Sequence, residues 1–343
     1  MTELAREHDQ HSNPVLVEAV RSGFVESVHR GSVVITDPDG SVRFAIGEVA
    51  APMFPRSSNK PFQALGMLHA GLEIGEADLA HACASHNGEP GHVARTIAML
   101  ERAGLDESAL SCPPDFPLLE SARHEVVRAG GDRRRAAMNC SGKHAAMAAT
   151  CAQLDWPVAG YAESGHKLQQ VIAGTVADLT GEPIAATGVD GCGAPLFAFS
   201  LTGLARAFGR LVTAEPGSDR RRIADAMRAH PWLVGGTGRE DTLLMLAVEG
   251  LLIKGGAEAV HAMALPDGTA VALKVDDGGA RARNPVLVAV LRALGVEAAT
   301  PAAESTLDGL GSGAGEIVGA GGQVGELRVP AGLFDGLGAQ PVG

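Results

Sequence analysis

Apolar and polar positions alternate in short runs from residue 15 to residue 50. Val33-Val34-Ile35 leads into Asp37-Pro38-Asp39-Gly40, and Val42-Arg43-Phe44-Ala45-Ile46 leads out. Asp-Gly between two such runs is a hairpin signal, because glycine supplies the positive φ that a tight turn needs. The period then changes. After Pro55-Arg56-Ser57-Ser58-Asn59-Lys60, residues Pro61, Ala64, Leu65 and Leu68 fall at i, i+3, i+4 and i+7, the spacing of one helix face. Proline is tolerated in a first helical turn, which places Ser57 at or just before the helix N-terminus. Further helices are predicted over 142–154, over 165–180 (capped by Ser164, stopped by Gly181), over 219–229 before Pro231, over 240–249, and from Asn284-Pro285 to Gly295.

A second hairpin lies between the last two helices. Leu251-Leu252-Ile253-Lys254 opens a strand, residues 260–265 continue apolar, Pro266-Asp267-Gly268 turns, and residues 271–275 return. Residues 323–329 form one more strand near the C-terminus. Strands at both ends with helices between them give an α+β order, an antiparallel sheet built from both termini around a helical middle. The expected organisation is a disordered tail over 1–12 and one domain over 13–330. Its sheet part is about 13–60 and 250–330, its helical part about 61–249, and a loose tail follows over 331–343. Pro113-Pro114 and the Gly-rich stretch 308–322 read as loops.

Composition narrows the picture. The 343 residues are 45% hydrophobic but only 3% aromatic, so a sizeable core must be built from Ala, Val, Leu and Gly. Net charge is −12, and no basic run exceeds Arg133-Arg134-Arg135, which argues against nucleic acid and against anionic membrane surfaces. Residues 1–12 lack the apolar segment of a secretory signal, and no stretch approaches the roughly 20 apolar residues of a membrane span. The expected compartment is the cytoplasm. Five widely spaced cysteines then read as buried thiols or ligands rather than a disulfide frame.

Ser57-x-x-Lys60 is the first candidate for chemistry. One helical turn puts an amine over a hydroxyl, so a neutral lysine could take the serine proton, with backbone N–H groups of the helix start nearby for an oxyanion. The plainer reading of Ser57 or Ser58 as an N-cap stands beside it. Ser85-His86-Asn87 and the strand string Lys254-Gly255-Gly256 follow in order. Together the three match the Ser-x-x-Lys, Ser-x-Asn, Lys-Thr/Ser-Gly skeleton of serine β-lactamases and penicillin-binding proteins. Gly255 departs from it where Thr or Ser is usual.

Cys140-Ser141-Gly142-Lys143-His144 and Asp190-Gly191-Cys192 could be inert thiols. They could also grip zinc, with Lys143 or His144 as a nitrogen ligand and Asp190 behind. Cys83, Cys112 and Cys151 read as core residues. His86 and His92 are either an acid–base pair or satisfied loop histidines. Gly235-Gly236-Thr237-Gly238-Arg239-Glu240-Asp241 precedes a helix N-terminus and suits a substrate carboxylate. Without a Lys-Ser/Thr ending it is no phosphate loop.

The combined set is recognisable. Residues 54–61, Ala84-Ser85-His86-Asn87-Gly88-Glu89, Asn139-Cys140-Ser141-Gly142-Lys143-His144, Val189-Asp190-Gly191-Cys192-Gly193 and His230-Pro231-Trp232-Leu233-Val234 resemble the rhizobial-type (class 3, "asparaginase II") L-asparaginase family, from about residue 14 to about 297. The resemblance implies a fold similar to serine β-lactamases and penicillin-binding proteins, a homodimer, and hydrolysis of L-asparagine to aspartate and ammonia. It implies Ser57 as nucleophile paired with Lys60, Ser85 paired with Lys254 (Lys274 being the fallback), and zinc held by Cys140, Lys143 and Cys192. Candidate substrate contacts are Arg56, His86, Asn87, Asp190, Thr237 and Gly238. The other readings are a cytoplasmic serine hydrolase of peptides or β-lactams, and a catalytically silent zinc- or ligand-binding protein.

Overall fold

The computed structural model describes residues 13–337, so the tail expected over 1–12 and positions 338–343 lie outside the described residues. The strands are β1 (Val15–Arg21), β2 (Phe24–Thr36), β3 (Val42–Ile46), β4 (Pro52–Met53), β5 (Ala186–Val189), β6 (Pro195–Ser200), β7 (Leu252–Gly256), β8 (Val260–Ala264), β9 (Ala270–Val275), β10 (Val318–Gly319), β11 (Gly322–Gln323) and β12 (Gly325–Arg328). The helices are α1 (Lys60–Ala70), α2 (Glu76–Ala82), α3 (Pro90–Arg102), α4 (Glu120–Arg128), α5 (Ser141–Gln153), α6 (Lys167–Thr180), α7 (Leu201–Val212), α8 (Asp219–Ala229), α9 (Pro231–Val234), α10 (Glu240–Ala247), α11 (Arg283–Ala293) and α12 (Pro301–Ser312). Among the described residues no helix is long and apolar enough to cross a membrane.

The main sheet is antiparallel and runs β12-β1-β2-β9-β8-β7, with β3 also on β2. Its centre joins the two ends of the chain, since Val33 of β2 faces Leu273 of β9 and Glu18 of β1 faces Arg328 of β12. The α+β architecture is as the strand and helix order predicts. Val33, Val34 and Ile35 are all fully buried, so both faces of the central strands are covered and the pattern there is a continuous apolar run, not an alternation. Helix α7 packs on β2, β8 and β9, and α11 on β1. Helix α1 is buried from Lys60 through Leu68 and is enclosed by α2, α5, α6 and α8. A helix buried all round is a poor place for a lysine unless its amine is used.

Several boundaries differ from expectation, each for a local reason. Stretch 251–275 is three strands rather than two, because residues 257–259 make a tight turn of their own with Glu258 and Ala259 at φ 58° and 51°. Helix α6 starts at Lys167, where the His166 ring rather than Ser164 accepts the Leu168 N–H. Helix α11 starts one residue before Asn284, which therefore lies inside the first turn. Helix α12 runs through Ser312, into the stretch expected as loop, with Leu307 buried beneath it. Helix α7 was not expected, although Leu201, Leu204, Ala205, Phe208 and Leu211 mark one face at helical spacing; Ser200 caps it by accepting the Gly203 N–H at 2.9 Å. In the expected C-terminal tail, Phe334 is buried against Phe44, ring centroids 5.8 Å apart.

Candidate active site

The chain enters α1 through a 3₁₀ turn, Arg56–Asn59, that opens on Arg56 at φ 51°. A left-handed arginine is strained, and its side chain is pinned by an ion pair with Asp190 at 2.9 Å. Ser58 caps this turn by donating to Pro55 O at 2.7 Å. Strand β7 closes over it. A Cβ on Gly256 would stand 2.7 Å from Pro55 O and 3.2 Å from the Ser57 nitrogen, so only glycine lets the strand pass. The neighbouring Gly255, which departs from the Thr/Ser pattern, has the His261 ring in the space its Cβ would take, 2.6 Å away.

The two serines meet in one cavity of about 230 Å³, lined by Ser57, Ser85, Asn139, Arg239, Gly255, Gly256, Glu258 and Arg283 among others. The lysine pairing is not the expected one. Lys60 Nζ donates to Ser85 Oγ at 2.9 Å and to Ala84 O, while no hydrogen bond joins it to Ser57 among the described residues. A 3₁₀ turn followed by a helix aims the amine across to the loop after α2 instead of back along its own backbone. Lys254, expected on Ser85, donates instead to Asp241 Oδ2 at 3.2 Å and to Gly255 O at 2.6 Å. Lys274 reaches Glu258 O and Val275 O.

Asp241 is the residue that sequence reasoning passed over. Fully buried, it accepts from Lys254, from the Gly255 N–H at 2.9 Å and from His261 Nε2 at 2.8 Å. Burial opposes its ionisation, but Lys254, the His261 N–H and Arg239 outweigh that and hold the carboxyl well below its usual range. Burial pushes the Lys254 amine down, Asp241 pushes it up, and nearby Lys60 and Arg239 push it down again, to about 8. Arg239 and Arg283 reach the cavity from either side of Glu240, at 3.4 and 2.7 Å from its carboxylate. Glu240 and Asp241 open α10, at the end of a Gly-rich string whose sequence reading rests on its backbone, not its carboxylates.

Two expected contacts with substrate become interior. His86 is fully buried, its Nδ1 accepting the Gly88 N–H and its Nε2 facing Ser141 Oγ at 2.9 Å. It stacks between His81 and His92, and His92 lies on Trp232 with ring centroids 4.0 Å apart. Burial and the neighbouring histidines hold His86 neutral, so of the two readings of His86 and His92 the structure places them in a packed, satisfied stack. Asn87, 2% exposed, spends its amide on Thr237 O at 2.9 Å. Thr237 and the exposed Gly238 form a loop that does capture an anion, and the anion is the chain's own Glu89, at 2.8 Å from Thr237 N and 2.7 Å from its hydroxyl.

The three expected zinc ligands do converge. Lys143 Nζ lies 3.2 Å from Cys192 Sγ, and Cys140 Sγ, itself 3.2 Å from Asn139 Oδ1, interacts with the same sulfur. Its hydrogen bond with Cys140, with Lys143 beside it, pulls the Cys192 thiol strongly down, and the two sulfurs and Asp190 keep the Lys143 amine charged against burial. Among the described residues His144 Nε2, near the Cys192 sulfur, is buried without a hydrogen bond of good geometry, while its Nδ1 meets Tyr161 OH at 2.8 Å. Two thiols, an amine and a ring nitrogen in one buried place are a donor set that fits zinc. Glu240, Asp241 and His261 also bring ligand atoms within 4.8 Å of one another, but the Glu240 carboxylate is engaged by Arg239 and Arg283 and that of Asp241 by Lys254, the Gly255 N–H and His261.

The family described as L-asparaginase II matches the chain over residues 17–329. No curated protein matches it. Among solved structures, a β-lactamase from Mycobacterium bovis is similar at 15% identity with a TM-score of 0.43, over 76% of this chain and 94% of that one. Mglu in its native form is similar at 15% identity and a TM-score of 0.44, over 84% of this chain and 70% of that one. EstCE1, described as a hydrolase with promiscuous acyltransferase activity, is similar at 13% identity and a TM-score of 0.38, over 74% and 91%. These likenesses are too distant to carry function.

Proposed function

The chain belongs to the L-asparaginase II family, and from that premise we propose that it hydrolyses L-asparagine to L-aspartate and ammonia through an acyl-serine intermediate. The observation that carries the reading is the cavity that holds Ser57 and Ser85 together under two guanidinium groups, with the Lys60 amine on Ser85 at 2.9 Å. A volume of about 230 Å³ suits a small amino-acid amide. Arg239 and Arg283 face the substrate's α-carboxylate, and Arg56, held by Asp190, stands at the nucleophile's turn.

Lys60, whose amine donates to Ala84 O and Ser85 Oγ, is the base in the proposed reaction. Ser57 Oγ attacks the side-chain amide carbon, and Lys60 takes the proton. Backbone amides at the Ser57 turn hold the oxyanion. Lys60 then protonates the amide nitrogen, ammonia leaves, and Ser57 carries an aspartyl ester. Water adds to that ester with Lys60 again as base, and the proton returns to Ser57 as aspartate departs. Lys254 is the second lysine of the site. Lys254, held by Asp241 and pushed down to about 8 by burial, is close enough to Lys60 for their charges to interact and serves as its proton partner in the reaction.

Cys140, Lys143 and Cys192 would hold zinc, which when bound supplies a fixed positive centre that orients the substrate's polar groups or braces the loops. The working form is a cytoplasmic homodimer. Ammonia release from asparagine, measured beside glutamine, is the first test. Asparagine is turned over and Ser57→Ala abolishes turnover with the fold intact by circular dichroism. Ser57→Ala keeping more than about a tenth of the rate while Ser58→Ala loses it would move the nucleophile, since a removed nucleophile costs on the order of 10⁶. No release above the blank would end the reading.

A further inference from the structure

We propose that Asp241 and His261 are positioning residues for Lys254: one buried carboxylate, shared by the lysine amine, an imidazole N–H and a backbone amide, fixes the amine's place and tunes its hold on a proton. The proposal rests on Lys254 being the second lysine of the proposed reaction, and it starts from geometry. Asp241 is fully buried in the first turn of α10, and Lys254 and His261 are fully buried on the adjacent strands β7 and β8. Asp241 Oδ1 takes the Gly255 N–H at 2.9 Å and His261 Nε2 at 2.8 Å, and Oδ2 takes the Lys254 amine at 3.2 Å.

The tautomer of His261 is fixed by what surrounds it. Nδ1 is buried with no partner, so a proton there would be stranded, and the ring's one proton belongs on Nε2, aimed at Asp241. His261 is therefore a neutral donor. Its ring also fills the space beside Gly255, which keeps β7 flat against the Ser57 turn.

The charges around Lys254 are few. Lys60 faces it from α1, Arg239 from the loop before α10, and the Cys83 thiol from the end of α2. Glu240 and Arg283 bear on Asp241 and His261 from the other side. Helix α8, which also packs on β7, buries only Ile223, Ala224, Ala226 and Met227 there. Asp241 is thus the one anion touching the amine, opposed by burial and two cations. Its charge density is in turn set by how many donors share it. Fewer donors on the carboxylate mean a tighter grip on the lysine proton.

This gives the two partners opposite effects, which plain damage to the fold would not produce. Asp241→Asn removes the anion and lowers the pH at which Lys254 loses its proton, by about 1–3 units. His261→Phe keeps the ring volume but removes a donor from the carboxylate, and raises that pH. The experiment follows the Lys254 Cε resonance against pH in protein carbon-13-labelled at lysine Cε, assigned by its loss in Lys254→Met. The inflection in kcat/KM for asparagine is read alongside. The wild-type midpoint is expected near pH 8. The two variants should displace it in opposite senses, with the kcat/KM inflection following and KM at the plateau changed less than about threefold. If Asp241→Asn does not fold, the rise in His261→Phe alone decides. Midpoints that stay put, or move in the same sense, would overturn the proposal. Resonances that move while the kcat/KM inflection does not would keep Asp241's hold on the amine and remove Lys254 from the proposed reaction.

Discussion

Lys254 and Lys143 are both shut away from solvent beside an acidic group, one on the strand wall of the cavity and the other in the first turn of α5. Burial alone would strip the proton from each. Lys143 keeps its charge firmly, because two sulfurs and Asp190 face it. Lys254 is pushed down to about 8 by burial, which Asp241 offsets only in part while Lys60 and Arg239 repel the charge. The difference lies in how many anions and cations face each amine, not in depth: two sulfurs and Asp190 around Lys143, one carboxylate against two cations around Lys254. A lysine so balanced stays near its titration point, as proton transfer requires. The other sits among sulfur donors that suit a metal.

The largest expected effect comes from breaking the shared set. Lys254→Met leaves Asp241 buried with no contacting cation, which should cost about 3–5 kcal/mol in urea denaturation. Ammonia release should fall by about 10²–10⁴. The pH dependence has a definite sign. Between about 8 and the ordinary 10.5 the unfolded chain binds the Lys254 proton and the folded one does not. Wild-type stability should therefore gain a rising contribution with pH across that window, and Lys254→Met should lack it. Adding Asp241→Leu to Lys254→Met should recover stability but not activity. A single variant as stable as wild type would mean that the pair carries no net interaction.

Replacing the sulfur side should act differently. Cys192→Ser is expected to drop zinc from about one equivalent to below about a tenth, in protein purified without chelators, while the fold survives. Asparagine KM should rise about tenfold with acylation slowed less, since metal-site losses commonly run 10–100-fold. Zinc content below a tenth in wild type, unchanged by the substitution, would return Cys140 and Cys192 to inert core thiols.

These two regions were unequally visible in the sequence. The cysteine cluster could be named residue by residue because the family resemblance implied Cys140, Lys143 and Cys192 together; spacing alone left inert thiols, and Lys143 or His144, open. The hydroxyl side gave up its members but not their pairing. Spacing along α1 says Ser57 and Lys60 are one turn apart, yet where an amine on a four-carbon stem ends depends on packing against a loop 25 residues later. Asp241 and His261 were invisible for a plainer reason. An acid at a helix N-terminus is the ordinary choice there, and a histidine inside an apolar strand is most often a satisfied core residue. His86 and Asn87 erred the other way, since a polar string in a loop does not reveal that its side chains turn inward. Sheet order was legible where hairpins carry turn residues, whereas α7 was missed although Leu201, Leu204, Ala205, Phe208 and Leu211 mark one face of it.

The smallest expected effects concern the link between the two regions. Arg56 is bonded to Asp190, two residues before Cys192, at 2.9 Å, and lies 3.6 Å from Glu258 at the rim of the cavity. The first contact is short and its carboxylate is 11% exposed; the second is long and its carboxylate is 62% exposed. A screened pair at that distance contributes almost nothing, whereas a shielded charged hydrogen bond contributes measurably. Asp190→Asn should therefore cost about 1–3 kcal/mol, read by urea denaturation. It should also raise asparagine KM, because Arg56 holds the strained turn that presents Ser57. Glu258→Gln should change stability by no more than about 0.5 kcal/mol. Arg56 then couples the cysteine turn to the nucleophile through Asp190 alone. If Glu258→Gln matched Asp190→Asn in both readings, the coupling would run through the rim instead, and the separation of the two regions argued from their lysines would not hold at the Ser57 turn.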